Sequence, residues 1–323
     1  MQRWAWTHAF AQAFGDRHML RVAVVEEGAE IAAIAPLAVR RNGVTRLGLV
    51  GVDELSEPGD LVYRDASALD RLADSVVRLR RPLHLARIEA GSATVEALRR
   101  ASGRRAIVYR RRVAPYPWIP LDEGWREPEQ KFSSDRRSDL RRARRRAEQL
   151  GEVTVDVISP RREHLPPLLD ELYRVEAAGW KGREGTALAA DEQRRRFFTS
   201  LAESASEAGF LRLAFLRIAG RAAAVQLAAE CGHRFWLLKV GYDEEFKRTS
   251  PGSLLMLETI QYAAEAGLES YELLGTSEPW TRVWTEHERP CVALRTYPIR
   301  PVGLAAAARD AAQLARRRRG GSL

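Results

Sequence analysis

Cysteine and histidine are scarce in this chain, which limits the chemistry that it can perform. The 323 residues include two cysteines, Cys231 and Cys291, too few for a framework of disulfide bonds. The six histidines are scattered, and no His-x-x-x-His or Cys-x-x-Cys pair provides the ligand spacing of a metal site. We therefore expect neither structural disulfides nor a bound metal.

Long apolar runs and a secretory signal are also missing. No uninterrupted hydrophobic stretch approaches the roughly 20 residues that cross a bilayer. The first ten residues lack an apolar core followed by a small-residue cleavage site. These absences predict a protein of the cytoplasm without a membrane span, and 323 residues are enough for two domains with apolar cores.

Acidic residues are outnumbered, so the chain is basic. The 52 lysines and arginines against 43 acidic residues give a formal net charge of +9. Much of the excess lies in residues 136–146 and 316–319. Such a charge attracts polyanions, including RNA and cofactors with several phosphates, although arginines also simply solvate surfaces. Both interpretations remain open for the first cluster, whereas residues 301–323 are expected to form a partly disordered basic tail.

One structural pattern occurs twice along the chain. Residues 20–37 and residues 211–227 each predict a β-hairpin around a glycine turn. A stretch with helical character precedes each hairpin, at residues 4–14 and 194–208. The repetition predicts two copies of one α/β unit.

An arginine-rich helix is predicted between the two copies, at residues 131–150. Ser133 or Ser134 suits its start and Gly151 its end. Its apolar residues recur at helical spacing: Leu140, Ala143, Ala147 and Leu150. One narrow face of this helix can pack while the arginines face solvent, so we expect a bridge between the halves.

A strand, a basic loop and a helix start follow one another in the second half. Residues 234–240 predict the strand, and Ser250, Pro251 and Gly267 suit the cap, the first position and the end of the helix. The N-terminus of a helix binds anions through its free N–H groups and its dipole. This corner is therefore a candidate seat for a pyrophosphate, and an ordinary crossover is the alternative.

The same loop resembles the acyl-CoA loop of GNAT acyltransferases, which is written Gln/Arg-x-x-Gly-x-Gly/Ala and precedes a helix. Lys247 stands at the first position of that pattern, Ser250 at the first glycine and Gly252 at the second. The resemblance implies that this loop holds the phosphates of acyl-CoA.

Three further stretches are similar to the CelD-like and Fem-type branch of that superfamily. They are residues 179–188, 241–243 and 271–284. In the last stretch this chain has Glu272, Trp280 and Thr281, where the branch more often has Asp, Tyr and Lys.

The resemblance implies an α/β (α+β) fold of tandem GNAT-like domains, whose mixed central sheets are flanked by helices. The expected limits are a degenerate N-terminal domain at residues 1–130, the bridging helix at 131–150, a catalytic domain at 151–300 and the basic tail at 301–323.

Acyl transfer to an amine requires a held donor, a deprotonated nucleophile and a proton for the leaving group. The residues predicted to bind the donor are Lys247, Arg248, Ser250, Gly252 and Ser253. Tyr242 is predicted to protonate the leaving group, and Glu272 or Glu278 to take a proton from the amine.

Aromatic and basic residues around the second-half strands are candidates for the acceptor pocket. The predicted substrate-binding residues are Trp180, Lys181, Trp280 and Trp284. Core packing is the alternative for Trp180 and Trp284. Glu176, four residues before Trp180, is expected to be an exposed salt-bridge partner.

Three functions remain open from the sequence. The first is an N-acyltransferase that takes its acyl group from acetyl-CoA or a longer acyl-CoA and acts on an amine of a small molecule or of a cell-envelope or natural-product precursor. The second is a Fem-type transferase of aminoacyl groups from charged tRNA, with residues 136–146 contacting the RNA backbone. The third is a ligand-binding protein without turnover. Neither the acceptor nor the oligomeric state follows from the sequence.

Overall fold

The computed structural model describes residues 4–42, 44–179 and 188–320. The chain forms two compact units: Met1–Pro115 with Arg289–Leu323, and Tyr116–Glu288. The limits of these units differ from the expected domains, because the end of the chain groups with its beginning. The arginine-rich helix belongs by sequence to the second unit.

The secondary structure alternates between strands and helices. The strands are β1 (Leu20–Glu27), β2 (Glu30–Asn42), β3 (Val44–Leu49), β4 (Val62–Tyr63), β5 (Leu83–Glu89), β6 (Ala106–Pro120), β7 (Val153–Ile158), β8 (Leu211–Ile218), β9 (Arg221–Cys231), β10 (Arg234–Tyr242), β11 (Ser270–Glu272) and β12 (Glu288–Pro298). The helices are α1 (Trp4–Phe14), α2 (Val52–Leu55), α3 (Ala66–Arg78), α4 (Ala93–Ser102), α5 (Ser134–Glu148), α6 (Leu165–Ala177), α7 (Glu192–Glu207), α8 (Pro251–Glu265), α9 (Pro279–Arg282) and α10 (Pro301–Gly320).

The first unit contains a mixed sheet in the order β1-β2-β3-β5-β12, with β4 beside β2. β3 and β5 run parallel, whereas β12 is antiparallel to β5. Helices α3 and α4 bury apolar residues such as Leu72 and Leu98 in a core shared with strand residues such as Leu37 and Leu85. The sheet thus gains one covered face from residues at helical spacing.

The second unit has its own mixed sheet, in the order β11-β10-β9-β8-β7, and Tyr116–Pro120 at the end of β6 pairs with β11. β10 and β11 are parallel, and the other pairs are antiparallel. Helix α8 packs Met256 and Ile260 against one face. Helices α6 and α7 pack on the strands as well. The predicted mixed α/β architecture is confirmed.

Both predicted hairpins are present, as β1–β2 and β8–β9. The second turns at Ala219 and Gly220, whose φ angles of 50° and 76° are both positive. Two successive positive φ angles twist a two-residue turn in the sense that matches the flanking strands. The helical stretches expected before the hairpins are α1 and α7.

The arginine-rich helix α5 starts after Ser133, one of the two predicted caps, and ends two residues before the predicted limit. The Ser133 hydroxyl accepts a hydrogen bond from the N–H of Arg136 at 3.3 Å, which caps the helix. Leu140, Ala143 and Ala147 are buried. The prediction that Leu150 packs is wrong: it lies beyond the last residue, Glu148, and is 56% exposed.

The C-terminal tail is helical from Pro301 to Gly320, where the sequence predicts partial disorder. Alanine-rich sequence has high helix propensity, and proline suits the first position of a helix. Ala306 is fully buried and Asp310 is 8% exposed. Contacts of this helix with the rest of the first unit therefore stabilise a segment for which composition alone predicts disorder.

Candidate functional site

In the sheet of the second unit, the pairing between β10 and β11 ends before the carboxyl end of β10. β10 and β11 are paired in parallel only as far as Trp236↔Glu272, yet β10 continues to Tyr242. Among the described residues, no pairing to β11 is recorded for the rest of β10. At about 3.3 Å per residue, the six residues after Trp236 extend roughly 20 Å beyond the paired part. β10 and β11 therefore separate beyond Trp236, while β10 stays paired with β9 as far as Tyr242.

The loop after β10 turns directly into helix α8. Asp243 caps a short 3₁₀ helix, Glu244–Thr249, by accepting from the N–H of Glu245 at 3.0 Å. Ser250 then adopts the left-handed conformation, with φ 47° and ψ 51°, and Pro251 occupies the first helical position. The sharp reversal at Ser250 aims the N-terminus of α8 back toward the end of β10.

Ser250 starts the helix through its backbone rather than through its side chain. Its carbonyl oxygen accepts from the N–H groups of Ser253 and Leu254, at 3.0 and 3.2 Å. The expected side-chain cap is wrong, because no cap bond to the Ser250 hydroxyl forms. Capping side chains usually require an extended backbone, and Ser250 is left-handed. Within the described residues, the N–H of Gly252 has no recorded partner.

The left-handed backbone of Ser250 leads to a prediction about stability. Left-handed geometry costs non-glycine residues about 1–2 kcal/mol and is hardest for β-branched ones. Ser250→Val should therefore lower the free energy of unfolding by about 1–2 kcal/mol, whereas Ser250→Gly should leave it unchanged or raise it. Urea denaturation measures both, and equal stabilities of the valine and glycine variants would contradict this account.

Positive charge surrounds the start of α8. Lys247 and Arg248 are exposed on the 3₁₀ helix. Helix α5 packs against this turn, and Arg146 donates from Nη1 to the carbonyl oxygen of Arg248 at 3.3 Å. Arg144 forms an ion pair with Glu258 of α8. The arginine-rich helix and the predicted donor loop are therefore neighbours, which adds to the attraction of an anion at the helix start.

Tyr242 lies beside the start of α8. A Cβ atom added to Gly252 would stand 3.7 Å from Cδ1 of Tyr242, an ordinary contact distance, and among the described residues outside the helix backbone and the adjacent residues it would meet no other atom within 4 Å. The ring is half-buried and packs against the core beneath α8. The structure thus brings together three predicted residues, Tyr242, Ser250 and Gly252.

Glu272 does not reach this corner, and its predicted catalytic role requires correction. Its side chain is fully buried. One carboxylate oxygen accepts from the Ser270 hydroxyl at 2.7 Å and lies 3.7 Å from Nη1 of Arg234. A carboxylate enclosed in this way stabilises the start of β10 and β11 and is not accessible to an incoming amine.

Glu278 and Trp280 lie together on an exposed turn. The indole N–H of Trp280 donates to the Glu278 carboxylate at 3.0 Å. Glu278 also caps α9, and the Thr281 hydroxyl accepts from the N–H of Glu278 at 2.9 Å. Trp280 is 40% exposed, so both side chains remain accessible to a substrate.

Trp284 belongs to the core rather than to a pocket wall. It is 6% exposed and meets Phe132 edge to face, with ring centroids 5.5 Å apart. The prediction that Trp284 binds substrate therefore needs correction, because buried aromatic packing already accounts for it. The other two predicted pocket residues, Trp180 and Lys181, lie outside the described residues.

A close packing site beside Tyr242 was missed from the sequence. A Cβ atom on Gly241 would lie 2.7 Å from Cα of Glu176, so only glycine permits α6 to approach the end of β10 this closely. Glu176 is 2% exposed, and its carboxylate accepts from the N–H of Leu188 at 2.9 Å. The expectation of an exposed salt-bridge partner is wrong.

A buried polar network beneath α8 was also missed. The Tyr271 hydroxyl lies 3.1 Å from both the Gln226 side chain and the Thr259 hydroxyl. Burial raises the pKa of Tyr271, so the phenol stays neutral and donates. Single residues along three elements supply these groups, which no local sequence pattern predicts. The network fixes α8 on the sheet and so positions the helix start.

Neither a metal site nor a membrane-spanning helix is found among the described residues. They contain no group of three or more histidine, cysteine or acidic side chains arranged to hold a metal ion. None of the helices in that part of the chain is both long and apolar enough to span a bilayer.

Comparison with known proteins defines the class. Residues 134–282 match the family described as acetyltransferase (GNAT) domain. The matched segment contains α5, the β10–α8 corner and α9. A search of curated proteins by sequence finds no match.

Solved structures share the fold over nearly the whole chain. FemX is 13% identical, with 90% of this chain and 91% of that chain covered and a TM-score of 0.59. The C-terminal domain of a putative lysylphosphatidylglycerol synthetase from Agrobacterium fabrum is 15% identical, with 93% and 90% covered and a TM-score of 0.57. A conserved protein of unknown function from Bacteroides thetaiotaomicron is 11% identical, with 90% of each chain covered and a TM-score of 0.54.

Residues 134–282 therefore form a GNAT-type acetyltransferase domain. The chain shares its fold with FemX. The domain belongs to the acyltransferase class.

Proposed function

We propose that the second unit is a cytoplasmic N-acyltransferase, which moves an acyl group from acyl-CoA to the amine of a small molecule or of a cell-envelope or natural-product precursor. The observation that carries the proposal is the corner at which Tyr242 lies beside the start of α8. There Ser250 reverses the chain and Gly252 leaves space next to the tyrosine ring.

The donor would bind at this corner through its pyrophosphate. In the first turn of α8 the N–H of Gly252 would donate to this anion, because Pro251 has no N–H and those of Ser253 and Leu254 bond to the Ser250 carbonyl. The exposed Lys247 and Arg248 supply two positive charges, and Ser253 is half-buried beside them. The acyl thioester would then extend along the part of β10 that lies beyond its pairing with β11.

The reaction needs few catalytic groups once the donor is oriented. The amine nitrogen attacks the thioester carbonyl, the carbon–sulfur bond breaks, and the leaving thiolate takes a proton. Of the predicted catalytic residues, Tyr242 carries a hydroxyl group and its ring lies beside the helix start, so it is the proposed proton donor. Glu278, exposed beside Trp280, is the remaining carboxylate for accepting the proton of the amine.

Replacing Tyr242 with phenylalanine should lower kcat about 100-fold and leave the Kd for CoA nearly unchanged. The reason is that a proton donor acts in the transition state, whereas CoA is held by the helix start. Steady-state kinetics and calorimetric titration measure the two quantities. Tyr262→Phe is the matched control, since Tyr262 is a half-buried tyrosine that bonds to Arg212 and Glu230. An unchanged kcat in Tyr242→Phe would remove the residue from the mechanism.

A second candidate, transfer of an aminoacyl group from charged tRNA, is favoured by the position of α5. The helix carries exposed arginines, including Arg141, Arg142 and Arg145, and it packs against the turn that contains Lys247 and Arg248. Binding of RNA through them would weaken steeply with salt, and Arg141→Gln with Arg145→Gln would reduce the salt slope by about 1–2.

Thermal shift with CoA and with deacylated tRNA separates these candidates, since a ligand of the native state raises its Tm. Stabilisation by CoA supports the first proposal. Stabilisation by tRNA alone, at about 150 mM salt, would replace it with the second. If neither ligand raises the Tm, a binding protein without turnover becomes the better account. The burial of Glu272, which removes one expected catalytic group, would agree with that outcome.

A further inference from the structure

The helix α10 covers part of the first unit with very little apolar contact. Among the residues of α10 whose side chains are described, those buried are Gly303, Ala306 and Asp310. A Cβ atom on Gly303 would collide with the carbonyl oxygen of Pro298 at 2.0 Å, so the start of the helix lies against β12. Arg46 bonds to Asp310 and also, at 3.4 Å, to the carbonyl oxygen of Ala306, and these contacts join the middle of the helix to the sheet.

Asp310 is enclosed by donors from the sheet. Arg46 donates from Nη1 and Nη2 to its two oxygens, each at 2.6 Å. The Tyr297 hydroxyl donates at 2.6 Å, and Nη1 of Arg295 lies 2.9 Å away. Two guanidinium groups therefore share one carboxylate, which leaves one positive charge in excess at this cluster.

Two cavities adjoin this cluster, and they differ in character. One, of about 220 Å³, is lined by polar side chains that include Arg46, Arg295, Arg309 and His84. The other, of about 260 Å³, is lined mostly by apolar groups, among them Ile107, Tyr109, Ala307 and Leu314. Arg295, Asp310 and Gln313 line both, so the cavities meet at the charged cluster.

The electrostatic environment of His84 agrees with a surplus of positive charge. Burial and the positive charges of Arg295 and Arg46 lower the pKa of His84 to about 4. Asp53 and Asp310 act in the opposite direction and do not compensate. The imidazole is therefore neutral at pH 7, and an anion placed beside it would raise its pKa. The charged groups that face or line its surroundings are Arg40, Arg46, Asp53, Arg295, Arg309 and Asp310.

We propose that the paired cavities beneath α10 bind an amphipathic carboxylate, whose head group lies at Arg295 and Arg309 and whose short aliphatic or aromatic tail lies along Ile107, Tyr109 and Leu314. Arginine matches the two oxygens of a carboxylate with parallel donors. A single negative charge equals the excess of Arg46 and Arg295 over Asp310, and Arg309 adds a further positive charge to the lining. The site is independent of the acyl-donor corner, since all these residues belong to the first unit.

The affinity should depend on both halves of the ligand. Calorimetric titration of the full chain at pH 7 with octanoate, acetate and 1-octanol tests this. Each buried methylene contributes about fourfold in affinity, so octanoate should bind at least about 100-fold more tightly than acetate if roughly half of its additional methylenes are buried. Octanol, which lacks the charge, should bind at least about tenfold more weakly than octanoate. Octanoate binding no more tightly than acetate would overturn the proposal, as would the absence of octanoate binding.

Matched variants locate the head group. Arg295→Gln and Arg309→Gln should each weaken octanoate at least about tenfold. Arg316→Gln, an exposed arginine of the same helix that lines neither cavity, should change it less than twofold. Arg309 is half-buried, so its variant decides the matter if Arg295→Gln does not fold. Unchanged affinity in the Arg309 variant, or equal losses in all three, would refute the site.

A blocking variant and an NMR titration locate the tail and the charge. Ala307→Phe should reduce octanoate affinity to that of acetate and leave acetate unaffected, because the added ring occupies the apolar cavity. Saturating octanoate should raise the pKa of His84 by more than one unit, through the nearby negative charge. Octanoate that binds without moving the His84 resonances would place the ligand elsewhere and refute the proposal.

Discussion

Replacing Gly252 with tryptophan is expected to lower the affinity for CoA at least about 100-fold while the fold remains intact. In the part of the chain that the structure describes, a Cβ atom at this position makes an ordinary contact with the Tyr242 ring at 3.7 Å, so we expect a side chain to be tolerated there. The indole would instead occupy the space in which the pyrophosphate meets the backbone. A 100-fold loss corresponds to about 2.7 kcal/mol, the contribution of one or two hydrogen bonds to a charged group. Calorimetric titration with CoA measures it.

Gly252→Ala is the matched control for this variant. Its single methyl group makes an ordinary contact and should change the Kd for CoA by less than about threefold. Circular dichroism and Tm establish that both variants fold. Full CoA affinity in the folded tryptophan variant would remove the start of α8 from the donor site, and with it the main support for an acyl-CoA enzyme.

Replacing Asp310 with alanine is expected to lower the stability of the first unit by about 3–5 kcal/mol. The substitution leaves the guanidinium of Arg46, which is 10% exposed, without its partner, and removal of one member of a buried ion pair has a cost of this size. Urea denaturation followed by circular dichroism measures the change. Asp70→Ala is the control, because Asp70 and Arg100 form an ion pair with both side chains more than half exposed. That pair should contribute at most about 1 kcal/mol.

The same aspartate gives a dependence of stability on pH. Burial alone would raise the pKa of Asp310, but the hydrogen bonds from Arg46 and Tyr297 and the charge of Arg295 outweigh it and lower the pKa. A lowered pKa means that the contribution is fully present above the unfolded pKa of about 3.9 and is lost as pH falls through the folded value. Wild type and Asp310→Ala should therefore converge in stability at low pH. A difference that persists undiminished there would contradict the ion-pair explanation.

Local signals in the sequence predict the elements of this fold well. A glycine or alanine-glycine turn between apolar strands determines both hairpins, and Ser133 with its following helical spacing determines the start of α5. The start of α8 follows from Pro251 at the first helical position. In each case the deciding interaction lies within a few residues along the chain, so pattern and geometry coincide.

Burial of single side chains is not predicted in the same way. Glu272, Trp284 and Glu176 were assigned to accessible positions, yet each is less than 10% exposed. Their partners, such as Arg234 for Glu272 and Phe132 for Trp284, are distant in sequence. A carboxylate or an indole carries the same local pattern whether it faces a cleft or a core, so only the tertiary structure decides between them.

For helix α10 the sequence underestimates order and burial, whereas for the three side chains above it underestimates burial alone. Its composition, alanine followed by arginine, predicts a solvated end, and one buried aspartate reverses that outcome. The partners of Asp310 come from β3 and β12, far apart in the chain. Composition therefore misjudges a segment whose order depends on one charged contact.

Strand β12 pairs with β5, with Val292 opposite Ile88. This pairing joins a late part of the chain to an early one, so it affects the order of folding during translation. The ribosome emits Met1–Pro115 first and supplies Arg289–Leu323 only after the entire second unit has emerged. At roughly 5–20 residues per second, the nascent first unit waits on the order of ten seconds or more with β5 unpaired on the side that β12 will occupy. A stalled or prematurely terminated chain would therefore carry a finished acetyltransferase-type unit together with an exposed strand edge, a recognised starting point for aggregation.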